Sequence, residues 1–221
     1  MKDGKFELSH GDPSARPAPI PSVERVDPSE LGTVAQVLAQ GYTEDPIHLW
    51  AMPNAATRLE DATVFFTLFL RWMRPYSWDV FATARRSAVL VTWLVRQGKS
   101  GYPDGVRFMP PLLRTKSPMN DFLQWIETFR PNVDHLYFEF LSALPNAPRG
   151  TGYFLVANVL KKFNREGLPV WAWLSNPRSL AFFYRRLGFD VSEEFRRDAN
   201  TPPVRTIWRP SMSLTDVNER S

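Results

Sequence analysis

The sequence predicts an α+β domain: a mixed, largely antiparallel twisted sheet with helices on both faces. Three observations carry this reading. Two apolar, β-prone runs, Trp78 to Ala84 and Ala88 to Arg96, are separated only by Arg85-Arg86-Ser87, the pattern of an antiparallel hairpin. From Leu141 to Asp190 an apolar strand, an amphipathic helix, a second strand and a second helix follow in turn. Within that stretch Leu155, Val156, Val159, Leu160 and Phe163 form a single apolar helical stripe.

A chain of 221 residues fits one domain, large enough for a core that needs no disulfide or metal staple. The polar, proline-rich segment from Met1 to Pro21 reads as disordered or draped on the surface, the domain as residues 22–212, and residues 213–221 as a polar tail. Cys is absent, which excludes Cys nucleophiles, Cys ligands and a disulfide framework, and fits a reducing, cytoplasmic setting. Lys and Arg number 27 against 23 Asp and Glu, a formal charge of +4, and they are dispersed. That pattern lacks the basic stripe of a nucleic-acid binder yet accommodates a polyanionic small molecule. No apolar run reaches membrane-spanning length, so no membrane partner is expected. The eight Trp and sixteen Phe fit either a bulky core or an aromatic-lined substrate cavity.

Taken in order, Ser22 to Asp27 alternates as an edge strand. Asp27-Pro28-Ser29-Glu30 starts a helix: an N-cap carboxylate, Pro at the first position and Glu at the third. Gly41 is expected to end that helix, and Tyr42 to Trp50 to form a loop or broken helix. A helix capped by Asn54 follows, with Val64, Phe65, Leu68, Phe69 and Trp72 on one face and Pro75 as its stop. After the hairpin, Gln97 to Gly105 reads as a loop. Ser117-Pro118 opens a helix that runs through Phe129. His135 to Leu144, Val170 to Leu174, Phe189 to Phe195 and Val204 to Met212 read as strands, the last antiparallel to its predecessor.

The chemistry gathers where the helix after the first of these strands begins. Arg149-Gly150-Thr151-Gly152 sits at a helix N-terminus, where amide hydrogens and the positive end of the dipole suit a phosphate. A phosphate cradle, an adjacent strand able to pair with an extended ligand, and a tyrosine beyond suggest a cofactor enzyme.

Arg149-Gly150-Thr151-Gly152-Tyr153-Phe154 resembles the pyrophosphate-binding signature of the GNAT acetyltransferases, and Tyr184 to Phe189 resembles their terminal Tyr-x-x-x-Gly-Phe. Within that superfamily the chain looks most like the puromycin N-acetyltransferase-like branch. Asp45-Pro46 with Trp50 and Pro53, and His135-Leu136-Tyr137-Phe138 before Pro145, resemble its early block and its central strand. The resemblance implies acetyl-CoA as acyl donor, no metal, and a splayed strand around Leu141, Ser142 and Ala143 that pairs with the pantetheine arm. It implies that the amides from Arg149 through Gly150, Thr151, Gly152 and Tyr153 to Phe154 wrap the pyrophosphate, and that Ser179 lies on the cofactor side. Tyr184 matches the tyrosine that protonates the departing thiolate in many members. Phe154 replaces the usual Gly or Ala, and Ser179 a frequent Asn.

Strand alternation puts Tyr137, Glu139, Leu141 and Ala143 on one face, so Glu139 is the candidate base for the attacking amine, its alternative being an ordinary edge carboxylate or ion pair. Glu44, Asp45, Trp50 and Tyr137 are candidates for the acceptor side, although Asp45 before Pro46 also suits a turn. His48 and His135 are further possible bases. Three scattered His make no metal site. Lys161, Lys162 and Arg165 suit either the cofactor's other phosphate or a solvated helix face. The predicted activity is acetyl transfer to a primary amine of a small molecule or peptide by direct attack, in a monomer or homodimer. The alternative is a GNAT domain that binds an acyl-CoA or a protein partner without catalysis.

Overall fold

The computed structural model describes residues 22–73, 78–97 and 118–211. The expectations for residues 1–21, Pro75, most of the loop after Gln97, Ser117 and the tail lie outside them. The core of the fold is a seven-stranded sheet in the order β1-β2-β3-β4-β5-β7-β6. Its strands are β1 (Val23–Arg25), β2 (Trp78–Thr83), β3 (Ala88–Val95), β4 (His135–Ala143), β5 (Val170–Leu174), β6 (Asp190–Val191) and β7 (Arg205–Arg209). Every pairing is antiparallel except β4 with β5. The predicted hairpin is β2–β3. Its turn places Arg86 at φ 53°, and the Arg86 guanidinium bonds both oxygens of Glu30 at 2.9 and 2.8 Å and also reaches Glu24, fastening β1 to the turn.

Six helices among the described residues cover the sheet: α1 (Leu31–Tyr42), α2 (Pro46–Ala51), α3 (Arg58–Met73), α4 (Pro118–Glu127), α5 (Thr151–Asn164) and α6 (Pro177–Leu187). Asp27 accepts from Ser29 N at 2.8 Å and starts a 3-10 turn that runs into α1, as its sequence predicts. Residues of α1 to α4 bury one apolar cluster against Val89, Val91, Tyr137, Phe140 and Trp171 on one side of the sheet. The predicted stripe of α5 and Phe183 of α6 bury a second against Leu90, Leu136, Phe138, Val170 and Ala172 on the other. The side chains of β5 divide between the two clusters in strict alternation, as a strand's must.

Several boundaries differ from expectation for identifiable reasons. Asn54 accepts from Ala56 N at 3.1 Å and so closes a turn, while α3 itself begins at Arg58. The buried face of α3 is Ala62, Phe65, Phe66, Phe69, Leu70 and Met73, and Val64 is exposed. The larger aromatic set at Phe65, Phe66 and Phe69 turns the helix away from the narrower stripe. The strand expected from Phe189 to Phe195 is regular only at β6; Phe195 rejoins β7's approach through a single bridge to Val204. Arg209 of β7 donates to Asn164 Oδ1 at 2.6 Å and to Leu187 O at 3.2 Å, tying the ends of α5 and α6 to the sheet.

Gly41 does not stop α1, which continues to Tyr42. It lets the helix lie against β4: a Cβ at Gly41 would stand 1.9 Å from Ser142 Oγ and 2.9 Å from Ser142 Cβ. Ser142 in turn donates to Val37 O of α1 at 2.9 Å. Gly41→Ala therefore forces α1 and β4 apart, and we expect a loss of about 1–3 kcal/mol of stability, read from urea unfolding, with part of it recovered when Ser142→Gly is added.

Candidate functional site

A parallel pair that separates builds the site. β4 and β5 are in register only at Leu136 with Val170 and Tyr137 with Trp171. Beyond these pairs the strands diverge, and Phe138 to Leu141 on one side and Ala172 to Leu174 on the other line a cavity of about 90 Å3. Gly41, Tyr42, Asp45 and His48, Phe65 of α3, Met119 and Leu123 of α4, Ser175 and Asn176 after β5, and Ser179 and Phe183 of α6 complete its walls.

Two local features hold the strands apart. The first is a β-bulge in β4. Val91 of β3 faces Phe140 and Thr92 faces Phe138, so Glu139 is the extra residue. The bulge corrects the predicted alternation. Tyr137 and Phe140 pack into the first cluster, whereas Phe138, Leu141 and Ala143 turn to the second. Glu139 therefore does not share a face with Leu141 by simple period two; the bulge itself aims it at the cavity, where it is 5% exposed.

The second feature is Asp45. It N-caps α2, accepting from Ile47 N at 3.0 Å, so Asp45-Pro46 opens a helix where its sequence also suited a simple turn. The same carboxylate accepts from Ser175 Oγ, just past β5, at 2.9 and 3.1 Å. It thus links the α2 cap to the far wall of the cavity. His48 lies on this wall with Nδ1 3.5 Å from Asp45 Oδ1 and its ring stacked on Phe66 at 5.5 Å.

The edge of β4 that faces the gap can be read from its hydrogen bonds. Leu144 N donates to Ser87 O on the β3 side. Main-chain groups alternate along a strand, so those of Ser142 also point to β3 and those of Leu141 and Ala143 point into the cleft. Of the three residues expected to pair with an extended ligand, Ser142 is thereby occupied: its main chain faces β3 and its side chain bonds α1. Leu141 N donates to the Tyr42 hydroxyl at 3.2 Å. Burial, and next the charge of Asp45, push that hydroxyl's pKa above the usual tyrosine range; the Leu141 bond partly offsets this, and Glu139 adds to it.

The N-terminus of α5 is capped by Gly150 at φ 88°, a left-handed conformation that favours glycine, and no side chain caps the helix. Phe154 N donates to Gly150 O at 2.8 Å and Thr151 N to Pro148 O at 3.1 Å. A Cβ at Gly152 would meet only open space. Arg149 is exposed, Tyr153 is exposed with its ring against Phe182, and Phe154 is half-buried. Lys161 lies ten residues along the helix, about 15 Å from Thr151 at 1.5 Å per residue. Lys162 sits over the Phe81 and Phe163 rings. Both suit a solvated helix end rather than the cradle.

The structure thus brings Glu139, Asp45, Leu141 and Ser179 to one cavity. Among the described residues that line it, Glu44, Trp50, Tyr137 and Tyr184 do not appear. Glu44 is exposed, Trp50 packs on Phe122 of α4, and Tyr184 is 61% exposed on α6 next to the buried Phe183. Tyr137 lies behind the wall, its hydroxyl accepting from Trp173 Nε1 at 2.9 Å and bonding Glu127. His135 is buried, its Nδ1 2.7 Å from Val133 O and its pKa lowered by burial, which suits a structural role. Tyr42, Trp173 and Ser175 escaped the sequence reading. A tyrosine directly after the Gly41 close-packing position was the available signal for the first; nothing local marks the other two.

No protein-family model matches the chain, and no curated protein matches it. Solved structures do. An acetyltransferase of Corynebacterium glutamicum, described as histone acetyltransferase HPA2 and related acetyltransferase, superposes with a TM-score of 0.62 at 16% identity, covering 88% of this chain and 98% of that one. The polyamine N-acetyltransferase of Drosophila melanogaster gives 0.58 at 19%, covering 86% and 100%. A mosquito arylalkylamine N-acetyltransferase, like 5b, gives 0.54 at 11%, covering 86% and 100%. The class of architecture is an acetyltransferase one, and the particular fold is the GNAT fold.

Behind the cavity, Glu127 is pushed up to about 7 by burial, against the opposing pull of Arg130 at 2.8 Å. A raised carboxyl pKa means the folded state holds a proton that the unfolded chain releases, so its contribution is complete below about 4.5 and is lost as pH rises to about 7. Urea unfolding should show the native protein losing about 3 kcal/mol relative to Glu127→Gln across that window. Parallel pH curves for the two proteins would contradict the assignment.

Proposed function

We propose that the protein is an acyl-CoA-dependent N-acetyltransferase acting on a primary amine. The observation that carries this reading is the divergence of β4 from β5 beside a glycine-capped helix N-terminus. The residues fit coenzyme A by their own chemistry. Gly150 leaves the first turn of α5 without a side-chain cap, open space lies before Gly152, and Ala143 turns its main chain into the cleft. Anions are favoured at such a terminus, and a peptide-like arm can join such a strand edge. The names of the structural neighbours, which include polyamine and arylalkylamine N-acetyltransferases, agree with an amine acceptor. Within the superfamily, the Asp45-Pro46 block with Trp50 supports the puromycin N-acetyltransferase-like branch.

The amides from Gly150 to Phe154 would hold the pyrophosphate, and the cleft-facing groups of Ala143 would orient the pantetheine arm. Coenzyme A supplies an activated acetyl group as its thioester. Glu139, buried at the bulge, takes a proton from the acceptor ammonium directly or through one water. Asp45 and Ser175 set the acidic, hydrogen-bonding side of the acceptor cavity, and Phe65, Met119 and Trp173 exclude water from it. Tyr184 of α6 is the group assigned to return a proton at sulfur, on its place in the Tyr-x-x-x-Gly-Phe motif. The exposure of Tyr184 is the one feature that favours a second reading, a GNAT domain that binds an acyl-CoA without turning it over.

Thiol release from acetyl-CoA across a panel of primary amines, with mass spectrometry of the products, separates the two readings; the acetyltransferase gives N-acetylated product. Calorimetry supplies a test of the cradle. Gly152→Glu places a negative side chain at the pyrophosphate position, and acetyl-CoA affinity should fall at least tenfold (about 1.4 kcal/mol); equal affinity would remove the cradle from α5. For the base, Glu139→Gln should lower turnover near neutral pH by about 10²–10⁴-fold and recover at high pH, where free amine is abundant. An unchanged acidic limb in its pH–rate profile would assign the proton to another group.

A further inference from the structure

We propose that the Tyr42 hydroxyl, held by the Leu141 amide, is the hydrogen-bond donor to the carbonyl oxygen of the transferring acyl group. The inference rests on the acetyltransferase reading and adds a catalytic residue to it. A splayed β4 offers the amides of Leu141 and Ala143 to the cleft, and the first is already spent on Tyr42 Oη at 3.2 Å. That oxygen accepts the amide hydrogen, so its own proton must be placed elsewhere, and Tyr42 itself lines the cavity.

The ring leaves little freedom in this choice. It is wedged among His48 at 4.8 Å, Phe66 at 5.4 Å and Phe140 at 5.9 Å, which fixes the hydroxyl at the mouth of the β4–β5 gap. The groups that face it are Leu141 from β4, Glu139 from the bulge, and Asp45 and His48 from the α2 turn. Asp45 is engaged by Ser175 Oγ and by the amides of α2. Burial and the neighbouring carboxylates keep Tyr42 protonated far above neutral pH, the condition for a donor rather than a base. An amide that donates to a hydroxyl also polarises its O–H, so the Leu141 peptide dipole acts through the Tyr42 O–H.

In the transfer, the amine nitrogen bonds to the carbonyl carbon, having given one proton to Glu139, and electron density moves onto the carbonyl oxygen. Tyr42 donates to that oxygen and keeps its proton throughout. As the carbonyl re-forms, the carbon–sulfur bond breaks and its electron pair leaves on sulfur, which Tyr184 protonates; the nitrogen releases its second proton to water, and a proton from water restores Tyr184.

The test uses the full chain and Tyr42→Phe, which keeps the ring and its packing. Isotope-edited infrared spectra of bound acetyl-CoA, labelled with ¹³C at the carbonyl, read the donor directly and need no turnover. In the native protein the stretch should lie below that of free acetyl-CoA, and in Tyr42→Phe most of the shift should vanish while calorimetric affinity changes less than threefold. Turnover should fall by about 10²–10³-fold. A carbonyl stretch in the native complex equal to that of free acetyl-CoA overturns the proposal whether or not the variant folds. An equal shift in both proteins overturns it too, and assigns the donor to the released Leu141 amide. Tighter acetyl-CoA binding by Tyr42→Phe with no loss of turnover would make Tyr42 a plug and reject its role as donor. Absence of any acetyl-CoA binding by the native protein overturns the acetyltransferase reading itself, and this inference with it.

Discussion

The site depends on a hydrogen-bonding constraint: two parallel strands share a register for two residue pairs and then part. Parting leaves main-chain groups on both edges that a buried sheet would otherwise satisfy. Here the chain answers part of that demand itself, by the Tyr42 hydroxyl that accepts from Leu141 N on the β4 side, while a side-chain bond from Ser175 to Asp45 closes the end of β5. What remains is a polar-edged slot inside an apolar domain. Such a slot suits a ligand that is peptide-like along one side and anionic at one end.

The gap is placed by packing as much as by pairing. Gly41 and Ser142 draw α1 onto β4 until backbone and side chain nearly touch, and that contact carries Tyr42 into the cleft at the helix's last turn. On the other side, α5 lies flat on the sheet through its buried stripe, so its glycine-capped N-terminus, free of any side-chain cap, opens where Ala143 leaves β4. The two helices therefore approach the gap from opposite faces, one bringing side-chain chemistry and the other a backbone dipole.

Much of this was legible in the residues because local rules and tertiary demands agree there. The hairpin around Arg86, the Asp27 cap, the α5 stripe and Gly150 at the helix start each follow from a pattern a few residues long. What escaped depends on partners distant in sequence. The bulge at Glu139 is set by how β3 and β4 register across some forty residues of chain and leaves no mark in the period-two pattern of β4. Gly41 reads as a helix terminator, yet its meaning lies in Ser142, a hundred residues on. Tyr137 has the composition of a pocket residue, but the bulge two positions later leaves it on the core side, bonded to Trp173 and Glu127.

The strand order has a consequence for how the molecule is assembled. β5 meets β4 in two residue pairs but meets β7 in five, from Val170 with Arg209 to Leu174 with Arg205. The far wall of the cleft is thus fastened mainly by the final strand of the sheet, and that strand enters between two that precede it. A nascent chain can form the β1–β4 leaf and dock α1 on it well before Arg209 exists. Without β7, β5 would keep its two pairs with β4 and its packing in the two clusters, but it would lose its longest ladder. The geometry of the cleft therefore rests on residues from both ends of the domain, with β7 paired along β5 and Arg209 tying both flanking helices.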